Sequence, residues 1–430
     1  MSPLLLALLV QGQVVQTTGY VDSRTTGAWT QFDGTPGLTE LAEGNVQLKV
    51  TPHEKVKFVS DTSLFWQGAW LIQGGERELP NYRPTIVVSE LYADLPLQEH
   101  FRILVGKKRI VWGSGLAFNP TDVLNPPKDP TDPTFQRAGS WLAEAEWGFE
   151  KIALSAVIAG RATQQFAGLP TALVWDKNDR ADHWAFTARL YLLLADIDLN
   201  LIYAFTNQYN DAFSNKSRGG VSVSRVFGQL EVHGEAMLYS GSSRITVNPS
   251  CAARGCAIAE RRDLDASYVN AQALVGARWQ FDSGAFVSAE YYFNGEGQPY
   301  GDFKNLATLA LSNPALAQQA ILGTVDPGTP QKFTLNAFRR HYLATQVSVP
   351  QLWDDWTLGG AAIVGLDDLS MQLVPQVQWM PWEWLQLTAA AYIPIAGLER
   401  EGVEVNGTHY GQFTLSPFQT RLMFQARAFF

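Results

Sequence analysis

The sequence predicts an all-β chain, a transmembrane antiparallel up-and-down β-barrel of about 18 strands, with 16 as the second count. Three observations predict it. Apolar and polar residues alternate with period 2 in runs of about ten residues, the length that crosses a bilayer when tilted. The links between these runs alternate short and long, as in outer-membrane barrels. The chain also ends on an alternating strand closed by an aromatic residue, Phe430.

Composition agrees. Of 430 residues, 46% are hydrophobic and 12% aromatic, yet only 17% are charged, against about 25% in soluble domains. So many aromatics and so few charges exclude a disordered chain. No run approaches the ~18 consecutive apolar residues of a membrane helix. A net charge of −9 argues against nucleic acid, which needs clustered Lys and Arg. Length alone suggests more than one domain, but no linker separates parts, so residues 13–430 read as a single barrel domain.

At the N-terminus, Pro3-Leu-Leu-Leu-Ala-Leu-Leu-Val10 is a short apolar stretch, and Val10-Gln-Gly12 offers a cleavage site. Residues 1–12 therefore read as a signal peptide, although no Lys or Arg precedes the apolar stretch; a buried strand is the other reading. Strands are expected near 14–24, 44–51, 56–66, 86–96, 101–112, 138–147, 151–161, 183–194, 197–206 and 219–227. Further strands are expected near 229–239, 268–281, 285–294, 340–350, 356–365, 370–380, 384–395 and 418–430. The segment from Trp184 shows the logic: Trp184, Phe186, Ala188, Leu190 and Leu192 share one face, and His183, Thr187, Arg189 and Tyr191 the other. Tight links such as Ala195-Asp196 and Phe227-Gly228 alternate with long ones such as 25–43, 67–85, 113–137 and 295–338. An even strand count puts both termini on the side of the short turns.

Two long links carry further signals. In 113–137, prolines stiffen Asn119-Pro-Thr-Asp122 and Asn125-Pro-Pro-Lys-Asp-Pro130. In 295–338, the Ala- and Leu-rich stretch from Phe303 to Leu322 reads as helical, with Ser312-Asn313 before Pro314 marking a break between two short helices. Cys251 and Cys256, in Cys-Ala-Ala-Arg-Gly-Cys, read as a local disulfide if the chain is exported, with free thiols as the alternative. Trp147, Trp353, Trp356, Trp379, Trp382 and Trp384 flank turns, where amphipathic rings prefer the membrane interface.

The segment Val105-Gly-Lys-Lys-Arg-Ile-Val-Trp-Gly-Ser-Gly-Leu-Ala-Phe-Asn-Pro-Thr-Asp-Val-Leu-Asn-Pro126 resembles a motif in a porin-like family of proteobacterial outer-membrane barrels. The likeness covers about twenty residues there and is otherwise architectural. The C-terminal aromatic resembles the assembly signal of Gram-negative outer-membrane proteins, which assigns Phe430 that role. The resemblance implies the fold and a location in the outer membrane more than any substrate; the partners expected of such a barrel are the lipid bilayer with its lipopolysaccharide, the assembly machinery and small solutes. By analogy with general porins, it also implies that the third long loop folds inward, with Asp122, Lys128, Asp129 and Asp132 lining an eyelet; a rigid outer loop is the alternative.

The alternation assigns Lys57, Asp61, Glu90, Asp94, Lys107, Arg109, Arg189, Glu231, Glu235, Arg278 and Glu290 to the lumen, and leaves Lys108 facing outward. Lys107 and Arg109 on the fifth strand are expected to face Glu90 and Asp94 on the fourth as a charge ladder beside the constriction. Mixed signs give no ion preference. An enzyme is the rival class. Only His233, with Glu231 and Glu235 at i±2, makes a constellation, and it reads more simply as a hydrogen-bonded lumen cluster. No nucleophile-elbow, phosphate-loop or zinc spacing is present, and no metal or cofactor is expected. The function expected is passive diffusion of small polar or ionic solutes. A non-conducting scaffold, adhesion site or anchor for an envelope assembly is the alternative.

Overall fold

The computed structural model describes residues 6–10, 13–30, 36–53, 56–73, 76–77, 83–125, 139–160, 184–206, 217–240, 245–247, 259–261, 269–312, 339–397, 402–405, 408–415 and 418–430. Eighteen strands form one closed antiparallel ring. They are β1 Gln13–Thr30, β2 Pro36–His53, β3 Val56–Gln73, β4 Arg83–Gln98, β5 Phe101–Lys108 and β6 Ser140–Gly148. Next come β7 Ile152–Gly160, β8 Trp184–Leu194, β9 Ile197–Thr206, β10 Ser217–Phe227, β11 Leu230–Ser240 and β12 Val269–Gln280. The ring continues through β13 Phe286–Asn294, β14 His341–Leu352, β15 Trp356–Gly365, β16 Met371–Trp382, β17 Leu385–Ile395 and β18 Phe418–Phe429. Each strand pairs with its neighbour in sequence, and β18 pairs with β1, from Tyr20↔Phe429 to Thr30↔Phe418. Closure removes the unpaired edges that an open sheet would expose.

The alternation becomes two physical faces. On β7, Ser155, Val157 and Ala159 are buried inside the ring, while Ile152, Leu154 and Ile158 stand exposed outside. On β9, β11 and β12, Leu201, Tyr203, Leu238 and Val275 continue the outward apolar row. Such a belt is far larger than the patches a water-soluble surface tolerates. The inward row carries Asp22, Glu43, Asn45, Asp61, Ser63, Glu144, Thr187, Ser222, His233, Glu235, Ser288 and Glu290. Among the described residues no helix is long and apolar enough to cross a membrane.

The links at one end are short. At Ala195-Asp196 both residues take positive φ, 50° and 62°, the backbone of a two-residue hairpin whose twist matches the flanking strands. The first three strands run longer than the alternation suggests. β1, β2 and β3 have 18 residues each, so the expected long links 25–43 and 67–85 shrink to 31–35 and 74–82. The pairing persists there because β1 and β2 stay in register from Val14↔Thr51 to Trp29↔Pro36. Leu6–Val10 adds a short antiparallel partner to Gln13–Thr17. Removal of residues 1–12 as a leader would leave β1 whole, since it starts at Gln13.

The fifth strand differs most. It ends at Lys108 rather than near 112. Gly106 has φ +133°, and a Cβ there would sit 2.2 Å from the Leu91 carbonyl oxygen. Only glycine fits this close backbone approach. The expected phase of the strand is therefore corrected. Leu104 is the fully buried inward residue, and Val105 faces out. Lys108 turns in, in register with buried Ser140, with its ammonium 5.0 Å from the Tyr92 ring centre. Lys107 is in register with Leu91 and Trp141 and is nearly fully buried. Arg109 lies beyond the strand end.

In the long link after β13, α1 spans Tyr300–Ser312. It starts three residues before the expected Phe303 and stops at the expected Ser312. Phe303 and Ala307 pack with Leu415, and Arg339 stacks on Phe303 at 4.7 Å. The second expected helix, Cys251, Cys256, Lys128, Asp129 and Asp132 lie outside the described residues.

Gly106→Val should lower the fraction of barrel that resists dissolution in unheated detergent gels. The clash and the left-handed φ together cost about 2 kcal/mol or more. An unchanged gel shift and unfolding midpoint would show that the Leu91–Gly106 approach is unimportant.

Candidate functional site: an inward chain segment held by two carboxylates

After Lys108 the chain leaves the wall and runs through the ring. Its first part, Ile110 and Trp112, packs with Leu104, Leu142, Val157, Ala159 and Ile202, inward residues of β5 to β9; Val123 and Leu124 close over the same cluster. Its middle part, Ala117 and Phe118, packs with Leu274, Tyr292, Tyr342, Ala344 and Ile363 on β12 to β15. Phe118 stacks on Tyr292 at 4.4 Å. The segment thus spans from one part of the wall to another, and covers the inward face of most strands from β5 to β15.

Backbone amides in an apolar interior must find acceptors. Here two wall carboxylates supply them. Glu235 Oε1 accepts from the amides of Ser114 and Gly115, both at 2.7 Å. Its Oε2 accepts from the Thr121 amide at 3.0 Å, and the Thr121 hydroxyl lies 2.7 Å away. With its nitrogen turned to the carboxylate, the Asn119 amide adds contacts at 2.9 and 3.0 Å. Glu290 accepts from the amides of Leu116 at 2.5 Å and Ala117 at 2.7 Å. His233 Nε2 lies 2.8 Å from the same carboxylate. Gly113, at φ +139°, allows this crowding; a Cβ there would stand 2.7 Å from Glu235 Oε1 and 2.2 Å from the Asn119 side-chain amide. Asn125 ties the returning chain down, donating to the Ile110 carbonyl at 2.5 Å and to Asp122 Oδ1 at 2.7 Å.

The sequence-assigned lumen residues fall into groups. Glu235, Glu290 and His233 come together, but as the clasp of this segment: His233 pairs with Glu290 on β13, and Glu231 takes no part. Glu231 lies in register with Arg278 without an ion pair among the described residues. Arg278 stacks on Phe286 at 4.4 Å. Asp61 is held by Asn45 at 2.6 Å and Gln47 at 3.2 Å. Lys57 is exposed and in register with Asp94.

The expected ladder of Lys107 and Arg109 with Glu90 and Asp94 is not the arrangement found. Arg109 meets Glu90 through its backbone amide, at 3.0 Å. Asp94 instead faces Arg102, at 3.9 Å. Arg102 Nε is 3.0 Å from Glu146, and Glu146 is 3.3 Å from Arg189. Ser155 donates to Glu146 at 3.1 Å, and Arg189 stacks on Trp112 at 5.2 Å. A ribbon of alternating charge, Asp94–Arg102–Glu146–Arg189, therefore crosses β4 to β8 and ends against the inward segment. Sequence reading missed Arg102 because the Gly106 irregularity inverts the apparent phase of β5; the signal was Leu104, two residues on. Among the described residues no group of three His, Cys, Asp or Glu side chains is arranged to hold a metal.

A closed 18-strand antiparallel barrel with a chain segment folded across its lumen is a porin-type barrel. No protein-family model matches this chain, and no curated protein matches it. Among solved structures it is similar to OccAB2 of Acinetobacter baumannii, with TM-score 0.53 and 6% identity, covering 97% of this chain and 98% of that one. It is similar too to OccAB1 of A. baumannii, with TM-score 0.50, 11% identity and 97% and 96% coverage. OccK7 (OpdD) of Pseudomonas aeruginosa gives TM-score 0.50, 9% identity and 97% and 99% coverage. At such identities the likeness is one of fold.

Glu235→Ala should leave three backbone amides without an acceptor, at about 1–3 kcal/mol each. The expected outcome is a barrel that still forms but whose 113–121 segment becomes open to protease from the lumen. Glu290→Ala should do the same for Leu116 and Ala117. Full protection in both variants would show that the carboxylates do not hold the segment.

Proposed function

We propose that this protein is an outer-membrane pore that passes small polar or ionic solutes by diffusion, in a Gram-negative cell envelope. The observation that carries this reading is the pairing of an outward apolar belt with a polar lumen narrowed, not lined merely, by a clasped chain segment. A ring whose only task was anchoring has no need of two buried carboxylates to set the course of a chain across its bore. In lipid every backbone polar group must be paired within the protein, and the closed ring meets that demand. Porin-type neighbours support the reading at the level of fold. The short-turn end, carrying Phe430, belongs on the periplasmic side, and the outward tryptophans belong at the headgroup level. The bilayer, lipopolysaccharide and the assembly machinery are then its partners, and residues 1–12 its leader.

The chemistry of the lumen does not favour catalysis. His233 and its neighbouring carboxylates are occupied by the inward segment, which leaves them no open face toward a substrate. Charge along the Asp94–Arg102–Glu146–Arg189 ribbon sets the ion preference, because a charged wall in a narrow bore acts directly on a passing ion.

Purified protein in a planar bilayer should give stable channel currents; electrically silent insertion would sink the pore reading. Arg102→Ala should shift the reversal potential toward cations, and Glu146→Ala toward anions. Glu235→Ala should raise single-channel conductance by freeing the segment.

A further inference from the structure

The inward face of the ring is not uniform, and the difference points to a path. The inward segment packs along the wall from β5 to β15, and reaches β14 and β15 at Tyr342, Ala344 and Ile363. On β18 to β3 the buried carboxylates are held by neighbouring donors. Arg427 donates to Asp22 through Nε and Nη2 at 2.9 and 2.8 Å, and Gln425 also donates to Asp22. Tyr20 and Ser63 donate to Glu43 at 2.8 and 2.7 Å. Asp22 is 1% exposed and Glu43 7%, so these carboxylates are turned into the wall. Beyond those contacts, the inward positions of β14 to β17 carry a different chemistry. Gln346, Gln376 and Gln378 alternate with the outward residues and occupy inward positions. Gln376 is in register with Gly359, beside Ser348, and Gln378 lies between Thr357 and Thr388. All three are only partly buried. Their amides make no hydrogen bond among the described residues, whereas the neighbouring carboxylates each accept at least two.

We propose that solutes pass along this glutamine-bearing wall of β14–β17, and that its unpaired amides select uncharged, hydroxyl-bearing solutes over ions of similar size. The inference rests on the pore reading and deepens it. An amide presents both donors and acceptors and no net charge. It therefore replaces the water of a hydroxyl group one bond at a time, and gives an ion no charge to pair with. Gly359 leaves the space that the Gln376 amide fills; a Cβ there would lie 2.9 Å from its Nε2. Arg24 and Arg421 border the patch, in register with Gln425 and Tyr392. Arg421 stacks on Tyr392 at 4.5 Å. They are the groups through which an anion would be favoured instead.

The test uses the full protein in liposomes and planar bilayers. Swelling is measured with a neutral pentose, a neutral hexose and a sugar acid of the hexose's size, beside ion currents. In the wild type, the hexose should enter faster than the sugar acid. The combined variant Gln346→Leu, Gln376→Leu, Gln378→Leu should slow hexose entry roughly fivefold, the scale of one net hydrogen bond. Should that variant fail to fold, Gln376→Glu with Gln378→Glu keeps the wall polar and should move the reversal potential toward cations. Wild-type protein with neither current nor swelling overturns the pore reading itself. Normal currents with hexose entry unchanged in the Leu variant, or no shift in the Glu variant, overturn the path. Faster entry of the sugar acid, lost in Arg24→Gln, overturns the preference for uncharged solutes.

Discussion

Two buried carboxylates meeting a run of backbone amides is the interaction on which the lumen depends. A chain that leaves the wall of a barrel carries its own polar groups into a confined space. Unless each finds a partner, the segment is expelled toward water. Glu235 on β11 and Glu290 on β13 together receive five amides of one short segment. Charged acceptors make bonds about twice as strong as neutral ones. Two side chains can therefore hold what would otherwise need a second sheet. The apolar contacts of Trp112 on one side and Phe118 on the other then fix where the segment crosses.

Much of the ring was legible in the sequence for a simple reason. A strand with lipid-like surroundings on one side and a polar lumen on the other repeats with period 2, and β7 shows this in every residue from Ile152 to Ala159. The limits of β8, β9 and β15 follow the alternation to within a residue or so. The first three strands run past the alternation because their outer ends, such as Thr25 to Ala28, carry small and hydroxyl-bearing residues with little contrast between faces. The phase of β5 departs from the alternation because one glycine with positive φ breaks the count, and side-chain periodicity carries no record of backbone angle.

The site was legible in a different way. Glu235, Glu290, His233, Asp94 and Arg189 stood out as polar residues on inward rows. What they touch did not, because the partners of the two glutamates are mainly amides, and every residue has one. The motif from Val105 to Pro126 held the missing half: its glycines at 113 and 115 and its Asn119, Thr121 and Asn125 are the residues that let the segment approach the carboxylates and return. Charge pairing across strands also depends on register. Arg102 meets Glu146 because the register of β5 against β6 sets them opposite each other, next to Phe101↔Trp147, and a slip of one residue would turn both side chains to the other face.

The seam between β1 and β18 has a kinetic side. Asp22 and Arg427, joined across it, are 405 positions apart in the chain, and Gly19 exchanges hydrogen bonds with Phe430 itself. Contacts this distant in sequence form late and slowly. Until the final residue is in place, both border strands present bare edges, and the apolar belt has no finished cylinder beneath it. The barrel therefore has no stable half-built form to wait in. Its maturation is a race between joining the two ends and sticking to something else, decided at the last few residues of the chain.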